Sequence, residues 1–547
     1  MPLVIAALVI FIITYLFIGL RQIPRVHIDR PAGALVGAVL MIVFGVLTLD
    51  QAFAAIDMNT LLLLLGMMII TVYLRAAGFF ELMADKILSH SKTPLQLLVL
   101  VALSSGLLSA LFVNDTICLL YTPIILAVTI RLKVNPVPYL LALATSSNIG
   151  SVMTVTGNPQ NMLIGISSKI PYLSFLGALF PVALAGLAVC VVVIRFLYRK
   201  EMKAAAFALR PVTPEYRVRR PLLVKALLVC GAVLVAFSLG YPYALVAAAG
   251  AVLLLLVGGV ATESILEGVD WTLLLFFSGL FVVMHGVETS GLARAAIEHL
   301  GDLSSRSVSG KIAGLSLVSV VLSNLVSNVP AVMLLKPLTQ TLGSGPFFWL
   351  ALAMSSTLAG NLTLIGSVAN LIVLQQARRK VEIGFMEYFR AGAVITAATI
   401  ALGILVLTLE VRVAHGAEAS AAGKPETQMT VTITPADRHD SARTFRIVLL
   451  CDRPETRVKG LQGFRQLTPG ETALFIFEKP EPLTFWMGSV AFPIDIIFVS
   501  PDNEVERVYP SCRPGSLEYY PSMRRAKWVI ETAAGSGIRA GDRVSIR

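Results

Sequence analysis

Two long apolar stretches of this chain are interrupted in their middles by polar side chains, and two more carry polar breaks of their own. In the first stretch, 95–130, Ser109 precedes Asn114-Asp115-Thr116, and Thr122-Pro123 follows. In the second, 308–342, Ser323 precedes Ser327-Asn328-Val329-Pro330. The other two breaks are Thr154 with Gly157-Asn158-Pro159-Gln160-Asn161, and Thr363 with Gly366-Ser367 and Asn370. Hydrocarbon cannot satisfy bare backbone N–H and C=O groups, so such breaks persist only around a cavity holding water or ligand. Asn158 stands before Pro159 as an N-cap stands before a proline in the first helical turn, and Pro330 follows Asn328-Val329 in the same manner. Each break therefore starts a new helix with free N–H groups facing the cavity, which favours an anion or an electron-rich oxygen ligand. The carbonyl ends of the preceding half-helices, with Ser109, Asn114, Ser323 and Asn328, suit a hard cation such as Na⁺, held at Asn114 and Asn328.

Asp115 is the one carboxylate inside a broken stretch. An intramembrane acid suits a coupling proton or a bound cation, and it equally suits a helix cap. Lys336 in the second stretch reads as a side chain that reaches for the interface. Cys118 reads as packing, and His285 and Glu288, three apart, as interfacial. The five cysteines show no Cys-x-x-Cys spacing, so no metal or redox centre is expected beyond the coupling ion. No Gly-x-x-x-x-Gly-Lys-Ser/Thr run is present, so no nucleotide is expected and transport would draw on a gradient of Na⁺ or H⁺.

The elements that position these residues follow from composition. Of 547 residues, 56% are apolar and 14% charged, which excludes a soluble enzyme, a disulfide scaffold and a disordered chain. Ten stretches of about twenty apolar residues are candidate spans, near 3–20, 32–49, 60–77, 138–165, 173–198, 222–239, 243–260, 271–288, 347–375 and 391–410. The two broken stretches, too long for one helix, read as re-entrant hairpins. Basic residues fall in alternate loops, among them Arg21, Arg25, Lys86, Arg131 and Arg378 to Lys380. By the positive-inside rule the N-terminus and everything after the tenth span are extracytoplasmic, in an inner membrane. The net charge of +11 is a record of that orientation, and no nucleic-acid partner is expected.

The chain also duplicates itself. An offset of 214 aligns Ser109 with Ser323, Asn114 with Asn328 and Pro123 with Pro337, and an offset of 209 aligns 146–161 with 355–370. Repeats of about 1–205 and 215–412, each with five spans and one hairpin, must be inverted with respect to one another. The chain here resembles the ion-transporter superfamily of arsenite permeases, NhaD-type sodium/proton antiporters, citrate carriers and divalent-anion/sodium symporters. The resemblance covers roughly residues 3–410 and rests on Asn114-Asp115-Thr116, Thr122-Pro123, Gly157-Asn158-Pro159-Gln160-Asn161 and Ser327-Asn328-Val329-Pro330. The symporters show Ser-Asn-Thr at both tips, whereas this chain has Val113-Asn114-Asp115 and Ser327-Asn328-Val329, and so looks more like the arsenite permease and NhaD branch.

From 413 to 428 the chain is small and polar, as a linker is. Residues 429–547 hold 16 Lys and Arg against 14 Asp and Glu and show seven β-type runs, a soluble β-rich domain. They resemble a small domain family of unknown function, number 192, through Pro454-Glu455, Lys459-Gly460-Leu461, Phe485-Trp486-Met487, Pro493 to Phe498, Tyr520-Pro521-Ser522 and Gly541-Asp542. Asp495 and Trp486 are its candidate pocket residues, with a structural role favoured.

The expectation is thus a polytopic α-helical membrane protein with a small β-rich domain. It is expected to move a small inorganic or organic ion, first of all an anion, by alternating access. Na⁺/H⁺ antiport or arsenite efflux is the alternative, and an anchored extracytoplasmic binding module or enzyme is a rival of another class. Expected partners are the lipid bilayer, the small ion and a second copy in a homodimer.

Overall fold

The computed structural model describes residues 2–19, 29–203, 218–291, 303, 307–342, 345–422, 429–437, 441–453, 456–457, 460–462, 464, 466–488, 490–516 and 518–546. Arg21, Arg25, Pro454, Glu455 and Lys459 lie outside them. The chain divides into two compact units, Met1–Ala414 and His415–Arg547.

In the first unit the helices recur in order. Pro2–Gly19, Arg30–Val43, Leu49–Ala55 and Met58–Ala76 are followed, after Phe79–His90, by Pro94–Leu111, Asn114–Leu132, Val137–Ser151, Pro159–Ser168 and Tyr172–Leu197. Arg220–Ser238, Tyr243–Val257, Thr262–Leu266 and Trp271–Thr289 repeat the first four, and Val308–Val326, Asn328–Leu342, Pro346–Ala359, Val368–Ala377 and Phe385–Ala422 repeat the last five. Even the caps recur: Asp57 accepts from Thr60 N at 3.1 Å, and Asp270, 213 residues on, from Leu273 N at 3.0 Å.

The repeats exchange partners. Met58–Ala76 packs on Tyr243–Val257 of the second repeat, and Trp271–Thr289 packs on Arg30–Val43 of the first. Glycine makes both approaches possible. A Cβ on Gly66 would lie 2.6 Å from the Ala247 carbonyl carbon, and one on Gly279 would lie 2.8 Å from that of Ala34. Gly66/Gly279 and Ala34/Ala247 are themselves repeat mates, so a single contact is made twice, as small residues let membrane helices approach.

Among the described residues eight helices are long and apolar enough to cross a membrane, and five apolar helices are shorter. Two expectations change. The stretch 32–49 is helical only to Val43, because Gly45 takes φ +68° and Thr48 with Gln51 then caps a new helix reciprocally. The stretches 138–165 and 347–375 carry the breaks expected of them, the first between Ser151 and Pro159 and the second between Ala359 and Val368. The last helix runs on to Ala422, through most of the segment whose small residues suggested a linker. Alanine, which fills half of residues 413–422, is the strongest helix former.

The second unit is a seven-stranded sheet in the order β6-β5-β8-β3-β2-β1-β9. The strands are β1 Thr430–Thr434, β2 Arg443–Cys451, β3 Glu471–Glu481, β5 Ile494–Val499, β6 Val505–Cys512, β8 Ala526–Ala533 and β9 Arg543–Ile546. Among the described strands only β2 and β3 pair in parallel. The two strands that sequence reading missed, β4 Thr484–Trp486 and β7 Tyr519–Pro521, are three residues each and pair with one another. Cys451 and Cys512 lie on β2 and β6, four strand spacings or about 19 Å apart, and both thiols are free. Asp495, on a strand buried throughout, is a staple: it accepts from Ser511 N at 2.7 Å and from Ser536 N at 2.8 Å.

Candidate functional site

Four helix N-termini converge on one small cavity. Asn114 and Asp115 open Asn114–Leu132, Pro159 and Gln160 open Pro159–Ser168, Asn328 to Pro330 open Asn328–Leu342, and Ser367 and Val368 open Val368–Ala377. All line the same space, which Leu273, Phe276 and Phe277 close on one side. Its volume is about 30 Å³, enough for an ion or a water or two. N-terminal N–H groups of four helices give it a positive polarity, and Asp115 is the one ionisable side chain in its wall.

The two repeats are tied here by a reciprocal pair of hydrogen-bonded groups. Asn148, in the helix before the first break, donates to Asn370 Oδ1 at 3.2 Å and accepts from Ser367 Oγ at 3.1 Å. Its repeat mate Thr357 donates to Asn161 Oδ1 at 3.4 Å and accepts from Asn158 Nδ2 at 3.2 Å. Within each repeat the break is held alike. Asn161 Nδ2 donates to the carbonyls of Ser151 and Thr154 at 3.0 Å each, and Asn370 Nδ2 to those of Gly360 and Thr363 at 2.7 and 3.1 Å. Asn158 caps its helix by accepting from Asn161 N at 2.8 Å, whereas Ser367 spends its hydroxyl on Asn148. Thr154 donates to the Ala110 carbonyl in the first hairpin, and Thr363 to Asn324 Oδ1, the equivalent place in the second, at 3.1 Å.

Glycine completes the breaks: a Cβ on Gly157 would lie 2.3 Å from Ser151 O, and Gly366 donates its N–H to Thr363 O at 3.1 Å. Asn114 Nδ2 donates to Asn148 Oδ1 at 2.8 Å, which joins the first tip to the cross-repeat link.

Among the described residues seventeen buried side-chain oxygens have no hydrogen-bond partner, and four of them form two repeat pairs: Ser109 Oγ with Ser323 Oγ, and Asn114 Oδ1 with Asn328 Oδ1. Asn114 and Asn328 both line the cavity, so their orphan oxygens stand in symmetric register where a ligand can reach them, whereas Ser109 and Ser323 are not in its wall. Ser327, at the second tip, holds φ +73°, a conformation costing a non-glycine residue roughly 1–3 kcal/mol. Asp115 does not cap its own helix. The N-cap is Val113, which offers no side-chain bond, and Asp115 is the second helical residue.

Asp115 also lines, with Thr116, a second cavity of about 70 Å³ that Arg75 and Asp270 share. Arg75, Leu119 and Leu120 in turn line a vestibule of about 690 Å³ with Glu81, Gln376 and Arg379. A chain of cavities sharing walls thus runs from that vestibule to the four N-termini. Pro123 contributes: lacking an N–H it leaves Leu119 O free, and Gln376 Nε2 donates to that carbonyl at 3.1 Å. Elsewhere the sequence candidates stay apart. Cys118 is fully buried against Ser147 Oγ at 3.1 Å, and His285 and Glu288 form a partly exposed 4.0 Å pair.

Sequence reading passed over Asn148, Thr357, Asn361 and Asn324. The signal was present for two of them, because the 209 offset pairs Asn148 with Thr357, but a search for identical residues does not pick up an Asn/Thr pair.

Residues 6–346 match the family described as Citrate transporter, and residues 435–546 the family described as Uncharacterized ACR. The Silicon efflux transporter LSI3 of Oryza sativa subsp. japonica is 33% identical over 472 residues, covering 74% of this chain and 97% of its own. The Arsenical pump membrane protein of Escherichia coli is 25% identical over 402 residues, covering 70% and 93%. The crystal structure of the YdaH transporter of Alcanivorax borkumensis, 14% identical, covers 76% of this chain and 98% of that one at a TM-score of 0.47. A protein of unknown function from Novosphingobium aromaticivorans, 29% identical, covers 21% and 83% at a TM-score of 0.20. With its family match spanning more than half of the chain and its relatives matched almost end to end, the protein is a multi-pass membrane transporter belonging to the family described as Citrate transporter.

Proposed function

We propose that the protein carries a small oxygen-rich inorganic solute, an oxyanion or its neutral oxoacid, across the cytoplasmic membrane in exchange or symport with Na⁺ or H⁺. The observation that carries this reading is the cavity on which four helix N-termini and Asp115 converge. Amide N–H groups at helix starts receive oxygen lone pairs, and the paired orphan oxygens of Ser109, Asn114, Ser323 and Asn328 suit a hard cation. Relatives named for silicon efflux and as an arsenical pump point to hydroxylated metalloid solutes. Citrate is several times larger than the 30 Å³ space. The vestibule with Arg75 and Arg379 draws anions toward the site, and on the topology read from the basic loops it opens to the cytoplasm. Both broken stretches act as re-entrant hairpins that rock about this site.

Proteoliposome flux with arsenite, silicic acid, citrate and Na⁺ or H⁺ gradients tests the reading. Arsenite or silicic acid flux that a Na⁺ or pH gradient accelerates is expected, and Asp115→Asn should retain solute exchange while losing the acceleration. Flux of citrate alone, or cation exchange with no solute, would overturn it.

A further inference from the structure

The β-rich unit holds a cavity of about 350 Å³, within the size range of small-molecule sites. Alternation along β3 turns Phe475 and Phe477 to the face that also carries Ala473. Glu531 of β8 pairs with Ala473 and lines the same cavity. Strand β4 adds Phe485 and Trp486, and the Phe485 ring meets Phe475 edge to face at 4.9 Å. The walls are therefore aromatic and one end is a carboxyl.

That carboxyl is bare. Glu531 is 4% exposed, and its Oε2 has no hydrogen-bond partner. Its neighbours in the sheet are Ala473 on β3 and Ile496 on β5. The titratable groups near it on this face are Cys451 of β2, Cys512 of β6 and Tyr520 of β7, and burial pushes the two thiols up to about 12 and 11, so they are neutral. Alternation turns Asp495 of β5 to the opposite face, where it takes backbone amides. Arg457 sits at the other end, 4.9 Å from the Phe477 centroid and donating to Ile476 O at 2.9 Å. Phe477 is four residues, roughly 13 Å, along β3 from Ala473. Burial alone therefore governs Glu531 and pushes its carboxyl up to about 8. A buried acid without a partner is costly to a domain by itself, and a cation seated against it removes that cost while the ring faces hold the same charge.

We propose that this cavity binds a small organic cation, an ammonium or guanidinium group on a compact apolar body, with Glu531 as the counter-charge and Trp486 and Phe485 as walls. Calorimetric titration of the full-length protein in lipid nanodiscs tests it, with benzylguanidinium as a probe that stays charged and benzyl alcohol as its neutral counterpart. At pH 8.5 the cation should bind at least about tenfold more tightly than the alcohol. At pH 6.5 its affinity should fall roughly twentyfold, because a group titrating at about 8 must first lose its proton. Glu531→Gln should remove both the preference and the pH dependence, which places the binding here and not in the membrane unit. Trp486 is 49% exposed, so Trp486→Leu leaves the core intact and should weaken the cation about three- to tenfold even if Glu531→Gln fails to fold. Equal affinity for cation and alcohol, binding that strengthens on acidification, as benzoate at Arg457 would show, or full binding in Trp486→Leu would overturn the proposal.

Discussion

Asn148 bonds to both hairpin and break: its side chain serves Asn114 of its own repeat and Ser367, Asn361 and Asn370 of the other. Asn148→Ala leaves these buried groups unpaired, each at about 1–3 kcal/mol. Flux should fall at least about tenfold in Asn148→Ala, against little change in Leu107→Ala, an exposed leucine of the first hairpin, with insertion checked by surface labelling. Asn114→Ala and Asn328→Ala should each weaken transport about ten- to a hundredfold, the equivalent of one hydrogen bond to a charged ligand. Comparable effects are expected because the two oxygens are repeat mates. In the β-rich unit the sign of the pH effect follows from Glu531, whose carboxyl is raised in the folded state to about 8 from 4.5. The folded domain keeps a proton that the unfolded chain has already lost, so stability is fully present below about pH 4.5 and is lost as pH rises through 8. The loss is on the order of 3–5 kcal/mol. Tail amide exchange in the full-length protein should slow in Glu531→Gln at pH 8.5 and change little at pH 4.5.

At the scale of elements the repeat is a set of matched contacts made twice. Gly66 against Ala247 and Gly279 against Ala34 set how closely Met58–Ala76 and Trp271–Thr289 approach their partners from the other repeat. Gly66→Leu and Gly279→Leu force backbone apart in a packed interior and should each cost about 1–3 kcal/mol. Thermal unfolding in detergent should show similar losses for both, and a loss confined to one would mean that the two contacts are not equivalent. Ser327, strained at +73° while Val113 at the other tip is relaxed, is the point where the mates differ most. The strain is a store that a ligand or a hairpin movement can release.

For the whole molecule, orientation carries the functional argument, since the vestibule at Arg75 and Arg379 opens toward whichever side holds the basic loops. Cys451 and Cys512 are buried and report poorly on it, so a cysteine placed at the exposed turn residue Asp502 is the better probe. Asp502→Cys in spheroplasts should react with a membrane-impermeant thiol reagent before lysis. Reaction only after lysis would reverse the topology and turn the vestibule outward. Removing residues 429–547 should leave inserted protein that still transports, and loss of flux with normal insertion would tie transport to the β-rich unit.

Length, composition and the doubled pattern of polar breaks determined the membrane class, the two repeats, the division from the β-rich part and the places where helices start. These are local properties: apolar runs must be helical in lipid, and Asn, Pro and Gly punctuate helices through their own backbone chemistry. Only the tertiary structure decided that Asn148 and Thr357 link the repeats, that Asp115 faces a cavity and does not cap its own helix, and that Glu531 lies with an unpaired oxygen beneath aromatic rings. Each of these is a relation between residues far apart in the chain. Asn148 and Asn370, or Glu531 and Phe485, have no spacing that signals their meeting. Burial, pairing and the lack of a partner exist only once the helices and strands are packed.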